Sequence, residues 1–234
     1  MRFWADCGKF IRESRRHFHE IGAVLPSSRF LARALISEMK KRPGPCRLLE
    51  VGPGTGPVTA QLVRQLQPGD RVDLVELNEQ FIAHLRKRFD NEEAFVRCRD
   101  QVTLINSPVE KLTGESVYDY IISGLPLNNF PAQQVREIFR VFKRLLKPGG
   151  TLSYFEYLWV RQLKSPFVGR RQRSNLARVG RVVGCYIRDC EVRRQRVFIN
   201  VPPAMARHLL LKPNGHTCSA PLSHELSGEK VQQL

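Results

Sequence analysis

The chain has 234 residues, which is room for one sizeable core, because single domains usually run to about 100–200 residues. A composition of 42% hydrophobic and 26% charged residues excludes a disordered chain, and no apolar run reaches the roughly 18–20 residues needed to cross a bilayer. Neither an exported protein nor a transmembrane anchor is expected. The net charge of +16 is unevenly spread: residues 1–42 carry ten Lys/Arg against four Asp/Glu, residues 161–196 eleven against two, and residues 43–160 fourteen of each. Charge gathered in two flanking segments points to a polyanionic surface, either nucleic acid or an anionic membrane.

In chain order, residues 2–21 read as a helix. At helical spacing Phe3, Trp4, Cys7, Phe10, Ile11, Phe18 and Ile21 fall within an arc of roughly 120°, with Lys9, Arg12, Arg15 and Arg16 outside it. Such a helix can lie in a membrane interface or pack on the domain's own core. Gly22 and Pro26 break the chain, and Ser27 or Ser28 caps a second helix through Phe30, Leu31, Leu35 and Met39. From Pro43 onward strands and helices alternate: strand 46–51, helix 57–67, strand 71–76, helix 78–89, strands 102–106 and 118–123, helix 131–146 and strand 150–157. The alternation predicts an α/β fold with a mainly parallel sheet covered by helices on both faces. Strand-like segments near 182–192 and 195–201 are expected to complete the sheet, and the polar residues 213–234 read as a disordered tail. The expected organisation is an N-terminal helical segment (1–42), a catalytic domain (43–212) and that tail (213–234).

Cys7, Cys46, Cys98, Cys185, Cys190 and Cys218 include no CxxC pair and no zinc spacing, so reduced thiols and no metal centre are expected. The chemistry concentrates elsewhere. Strand Arg47-Leu48-Leu49-Glu50-Val51 runs into Gly52-Pro53-Gly54-Thr55-Gly56 and then a helix, an arrangement that lets a ligand approach the backbone at a strand end. The GxGxG spacing departs from the dinucleotide fingerprint, and Pro53 removes an amide that could have met a pyrophosphate. A ligand without phosphates is favoured. Strand 71–76 ends in Glu76, twenty positions past Gly56, where a carboxylate can accept hydrogen bonds from both ribose hydroxyls. Glycine turn and strand-end acid together describe a nucleoside site.

These residues resemble the class I S-adenosylmethionine-dependent methyltransferases. The resemblance implies a Rossmann-like fold with a seven-stranded sheet, S-adenosylmethionine as cofactor, and cofactor contacts from Glu50, Gly52, Pro53, Gly54, Thr55, Gly56, Glu76, Leu77, Ser107, Val109 and Ser123. Asn106-Ser107-Pro108-Val109-Glu110 stands where the adenine is gripped. Within the class, Gly22-Ala23-Val24-Leu25-Pro26-Ser27-Ser28-Arg29, the Glu50–Gly56 loop and Ser123-Gly124-Leu125-Pro126-Leu127-Asn128 are similar, in order and spacing, to bacterial phospholipid N-methyltransferases acting on phosphatidylethanolamine. Related rRNA adenine methyltransferases carry Asn-Leu-Pro-Tyr where this chain has Gly124-Leu125-Pro126-Leu127, so the amide and aromatic that hold a flat base are missing.

The resemblance therefore implies methylation of the phosphatidylethanolamine headgroup amine towards phosphatidylcholine, with Ser123, Leu125, Pro126 and Asn128 beside the acceptor. Tyr154 and Tyr157 are candidates for cation–π contact with a methylated ammonium, the alternative being core packing. The expected partners are a phospholipid substrate and an anionic membrane, met through the N-terminal helix and segment 161–196 by a cytoplasmic, peripherally bound enzyme. An RNA adenine methyltransferase and a non-catalytic lipid- or RNA-binding protein are the rival readings.

Overall fold

The computed structural model describes residues 28–41, 43–158 and 170–211. Helix 2–21, the aromatic Trp159, much of the basic segment before residue 170 and the tail 213–234 lie outside those residues. In chain order the elements are α1 (Arg29–Leu35), β1 (Arg47–Val51), α2 (Thr59–Leu62), β2 (Arg71–Glu76), α3 (Glu79–Asn91), α4 (Glu93–Val96), β3 (Val102–Asn106), β4 (Tyr118–Ser123), α5 (Ala132–Leu145), β5 (Leu146–Tyr157), α6 (Arg170–Cys190), β6 (Glu191–Val197) and β7 (Ala204–Leu210).

The strands form one seven-stranded sheet in the order β3-β2-β1-β4-β5-β7-β6. β1 to β5 are parallel, and β7 runs antiparallel to both β5 and β6. Side-chain alternation sorts the apolar residues between two layers. Leu49, Val51, Ile121, Leu152 and Tyr154 face α5 and α6, while Leu48, Val72, Leu74, Ile122 and Phe155 face α1 to α4. Helix α1 belongs to this second layer: its N-cap Ser28 accepts from the Leu31 amide, and Leu31, Ala32 and Leu35 are buried against the sheet.

The predicted strand near 182–192 is the end of a helix. Val179, Val182, Val183 and Tyr186 recur at helical spacing and pack on α5, with the Tyr186 ring stacked 4.5 Å from Phe139. The local run Val-Val-Gly-Cys-Tyr-Ile reads as β because β-branched residues cluster in it, but burial at a period of 3.6 outweighs that preference. Strand β6 starts only at Glu191. Cys46, Cys98 and Cys190 are free thiols.

The parallel strands all end at one edge, bringing Val51, Glu76, Asn106, Ser123 and Tyr157 to the same rim. Because β7 starts opposite the end of β5 (Tyr157 pairs with Ala204), the β6–β7 turn also lies on this rim. In open parallel sheets the crevice at the carboxyl ends of the strands is where ligands bind.

Candidate active site

The site is built on three crossings at that rim. After β1 the chain turns through Gly52, Gly54 and Gly56 at φ of +71°, +60° and +82°, the left-handed region that glycine enters without penalty. The Gly52 amide donates to the Val75 carbonyl (2.8 Å) and the Gly124 amide to the Val51 carbonyl (2.8 Å), so the segments after β1, β2 and β4 are tied together. Gly124 is pressed so closely on this loop that a Cβ there would stand 2.6 Å from the Gly52 carbonyl oxygen. No residue with a side chain fits at position 124 unless the loop moves.

Glu76 is the second crossing. Its carboxylate is 2% exposed and accepts from the Gly54 amide (3.0 Å) and the Asn78 amide (3.0 Å), one oxygen on each loop. A carboxylate offers roughly four acceptor positions, so the arrangement is compatible with a further pair of hydroxyl donors. Asn106, at the end of β3, donates its amide to the carbonyls of Glu76 (2.9 Å) and Leu77 (3.1 Å) and holds the third loop in register.

Arg88 supplies the third. From α3 it donates to the carbonyls of Thr55 (2.8 Å) and Gly56 (3.0 Å), is paired with Glu92, and lies 4.1 Å from the Phe95 ring centre. Sequence reasoning missed this clamp. Its one trace was the Arg88/Glu92 spacing of four on a helix, which reads as an ordinary surface pair.

These loops border a cleft of about 400 Å³, open mouth included. Of the residues expected to hold the cofactor or the acceptor, Gly52, Glu76, Leu77, Ser107, Val109 and Leu125 line it. Phe130, Gln134 and Ile138 complete the wall from α5 and the turn before it, and Gln134 donates to Glu110 (3.2 Å). Sequence reasoning did not single out these three, because they read as ordinary helix-face residues. Asn175 of α6 fixes this wall by bonding the Phe130 carbonyl (2.9 Å) and the Ala132 amide (3.1 Å).

The other expected residues stand farther back. Pro53, Gly54, Thr55 and Gly56 form the loop itself, with Thr55 exposed at its crown. The Ser123 hydroxyl is fully buried and accepts from the Leu125 amide (3.4 Å), Pro126 accepts from the Asn129 amide (2.8 Å), and Asn128 sits in the short 3₁₀ turn that follows.

Glu50 does not line the cleft. It points to the opposite face of β1, where the Thr59 hydroxyl donates to it (2.9 Å) at the start of α2. Its complete burial, with the Glu76 carboxylate nearby, pushes its pKa up to about 8 in spite of the Thr59 hydrogen bonds.

Tyr154 and Tyr157 are not brought together at the cleft, because three positions of separation on a strand put them on opposite faces. Tyr154 is fully buried, edge-on to Phe139 at 5.9 Å. Tyr157 packs edge-on to Phe155 at 5.1 Å, and burial pushes its hydroxyl up to about 12. Both serve the core.

Charge is the remaining property. In a chain of net charge +16, the only charged residues among the described ones that line the cleft are Glu76 and Glu110. An acidic cleft fits a cationic ligand, and S-adenosylmethionine carries a sulfonium and an ammonium. The ribose acceptor, the glycine-rich loop and the acidic wall together fit that cofactor. No group of acidic, histidine or cysteine side chains able to hold a metal occurs among the described residues.

Two outcomes follow from this geometry. Gly124→Ala and Glu76→Ala should each weaken S-adenosylmethionine binding at least about tenfold in a calorimetric titration, one by displacing the Gly52 peptide and the other by removing the acceptor that bridges two loops. Unchanged affinity in both would contradict the assignment. For Glu50 the folded pKa of about 8 lies above the ordinary 4.5, so its contribution to stability is whole below pH 4.5 and is lost as pH rises towards 8. Thermal melting should therefore decline across that window, and Glu50→Gln should flatten the decline.

Residues 48–150 match the family described as "Methyltransferase domain". The chain is 32% identical over 161 residues to an ornithine lipid N-methyltransferase of Singulisphaera acidiphila, covering 68% of this chain and 81% of that protein. It is 30% identical over 150 residues to a malonyl-[acyl-carrier protein] O-methyltransferase of Bacillus cytotoxicus, covering 62% and 49%. Among solved structures, the N-methyltransferase NodS from Bradyrhizobium japonicum, in complex with S-adenosyl-L-homocysteine, superposes with a TM-score of 0.52 at 14% identity over 77% of this chain and 84% of that one, a likeness of fold. With the site geometry, these matches place the cofactor and the class: the chain belongs to the class I S-adenosylmethionine-dependent methyltransferases.

Proposed function

We infer that the enzyme methylates a primary amine in the headgroup of a membrane lipid. The observation that carries this reading is the relative named ornithine lipid N-methyltransferase, similar over 81% of its length. Phosphatidylethanolamine is the substrate that the sequence motifs imply, and ornithine lipid is the one the relative's name supplies. Both present an amine on a headgroup at the edge of a bilayer.

The geometry supports an amine over the alternatives. A nucleobase acceptor needs the side chain that related rRNA enzymes carry at position 124, and here the Gly52 carbonyl occupies that space. A malonyl carboxylate, as in the second relative's name, would find no cation among the described residues that line the cleft.

The cofactor supplies an electrophilic methyl carbon on a sulfonium. The headgroup ammonium first yields a proton to solvent. That nitrogen's lone pair would be the acceptor of the methyl group, with a neutral thioether as the other product. The chain's part is to position and to exclude water. Glu76 and the Gly52–Gly56 backbone hold the nucleoside end, Arg88 keeps that backbone in place, and Leu125, Phe130 and Ile138 wall off the cleft.

Mass spectrometry of lipids from a host that lacks phosphatidylcholine and expresses this protein tests the reading. Methylated phosphatidylethanolamine species are expected, and supplying ornithine lipid in the same host separates the two headgroups. Absence of any methylated lipid, with the cofactor still bound by the purified protein, would contradict it.

A further inference from the structure

The β6–β7 turn exposes an apolar tip at the rim that carries the cleft. Phe198 is 59% exposed, Ile199 69% and Val201 55%, far more than side chains of this kind usually show in a folded domain. The tip stands on a fixed base. Asn200 is buried, accepts from the Ser28 amide (2.9 Å) and donates to the Pro202 carbonyl (2.7 Å), while Pro203 accepts from the Leu158 amide (2.7 Å). Beside it runs a groove of about 760 Å³, open mouth included, between Phe30, Arg33 and Ala34 of α1 and Val197, Phe198 and Ile199.

Two cations, Arg33 and Arg196, line the groove beside the tip. Arg29 and Arg33 on α1 and Arg194 and Arg196 on β6 are exposed, and none has an acidic partner among the described residues. Arg33 instead donates to Gln61 (3.2 Å), and Arg29 lies 5.0 Å from the Phe30 ring centre. Arginines on an edge strand do guard against strand addition, but that role does not account for three large apolar side chains held in water at the turn. An apolar wedge flanked by cations is complementary to one kind of surface, an anionic lipid bilayer, whose acyl boundary takes the wedge and whose phosphates meet the guanidinium groups.

We propose that the β6–β7 tip, Phe198, Ile199 and Val201, inserts into an anionic bilayer while Arg29, Arg33, Arg194 and Arg196 contact its phosphates, seating the cleft rim on the membrane. The proposal rests on the lipid-amine reading for its purpose, since a rim seated on the bilayer lets a headgroup amine enter the cleft without the lipid leaving the membrane.

The test uses the full chain and vesicles of phosphatidylethanolamine with phosphatidylglycerol. Phe198→Ser with Ile199→Ser should lower sedimentation with vesicles about tenfold or more at any salt concentration, while melting temperature and cofactor affinity stay unchanged. Arg194→Gln with Arg196→Gln should weaken binding at low salt and converge with the unaltered protein at high salt. Transfer to vesicle lipid should fall with the tip substitutions, and transfer to a monomeric short-chain phosphatidylethanolamine should not. Undiminished vesicle binding in both variants overturns the proposal, as does a lowered melting temperature without vesicles, which would show that another part of the chain covers the tip. Tip-dependent vesicle binding by a protein that methylates no lipid would leave the docking intact and overturn the lipid-amine reading instead.

Discussion

The buried carboxylate of Glu76 is the interaction on which the site depends. At 2% exposure it stands at the end of β2 with one oxygen bonded to the loop after β1 and the other to the loop after β2. A charge so far from water is tolerated only where donors are already aimed at it, and here the donors are backbone amides of the two segments that bound the cleft. The carboxylate shapes the glycine loop, and the loop holds the carboxylate in its ligand-ready position. Around this pair the second tier is placed: Asn106 braces the far side, Arg88 anchors the crown of the loop, and Gly124 lets the segment after β4 close against Gly52.

The same arrangement explains why a strongly basic protein has an acidic pocket. The parallel strands bring their carboxyl ends, with Glu76 among them, to one rim, while the excess of basic charge sits on the flanking segments. Charge segregation of this kind separates two tasks. The basic exterior suits a polyanionic surface, and the cleft suits the sulfonium cofactor. A single net charge for the whole chain conceals both.

The sequence made part of this legible. The alternation of strands and helices, the glycine loop and Glu76 could be read because each rests on local rules: burial periodicity, backbone freedom and a carboxylate at a strand end. The reading failed where tertiary contacts decide. Val182 and Val183 look like strand residues until α5 is there to pack on them. Tyr154 and Tyr157 look like a pair at a cleft until strand alternation sends them to opposite layers. Glu50 lies in the motif but faces Thr59 and not the cleft, and Arg88 and Asn175 act through backbone carbonyls and amides that no motif records. Gly124 is the instructive case. Its departure from the adenine-methylating pattern was visible as a letter, whereas the reason, a carbonyl oxygen 2.6 Å from where a Cβ would stand, is visible only in three dimensions.

The central claim is that the cleft takes an amine of a lipid headgroup and not a nucleobase. The most direct measurement is transfer of a labelled methyl group from S-adenosylmethionine, in parallel reactions, to vesicles containing phosphatidylethanolamine and to unmodified small-subunit ribosomal RNA. Label in the lipid fraction, with none in the RNA, is the predicted result. Label in the RNA with none in the lipid would contradict the account.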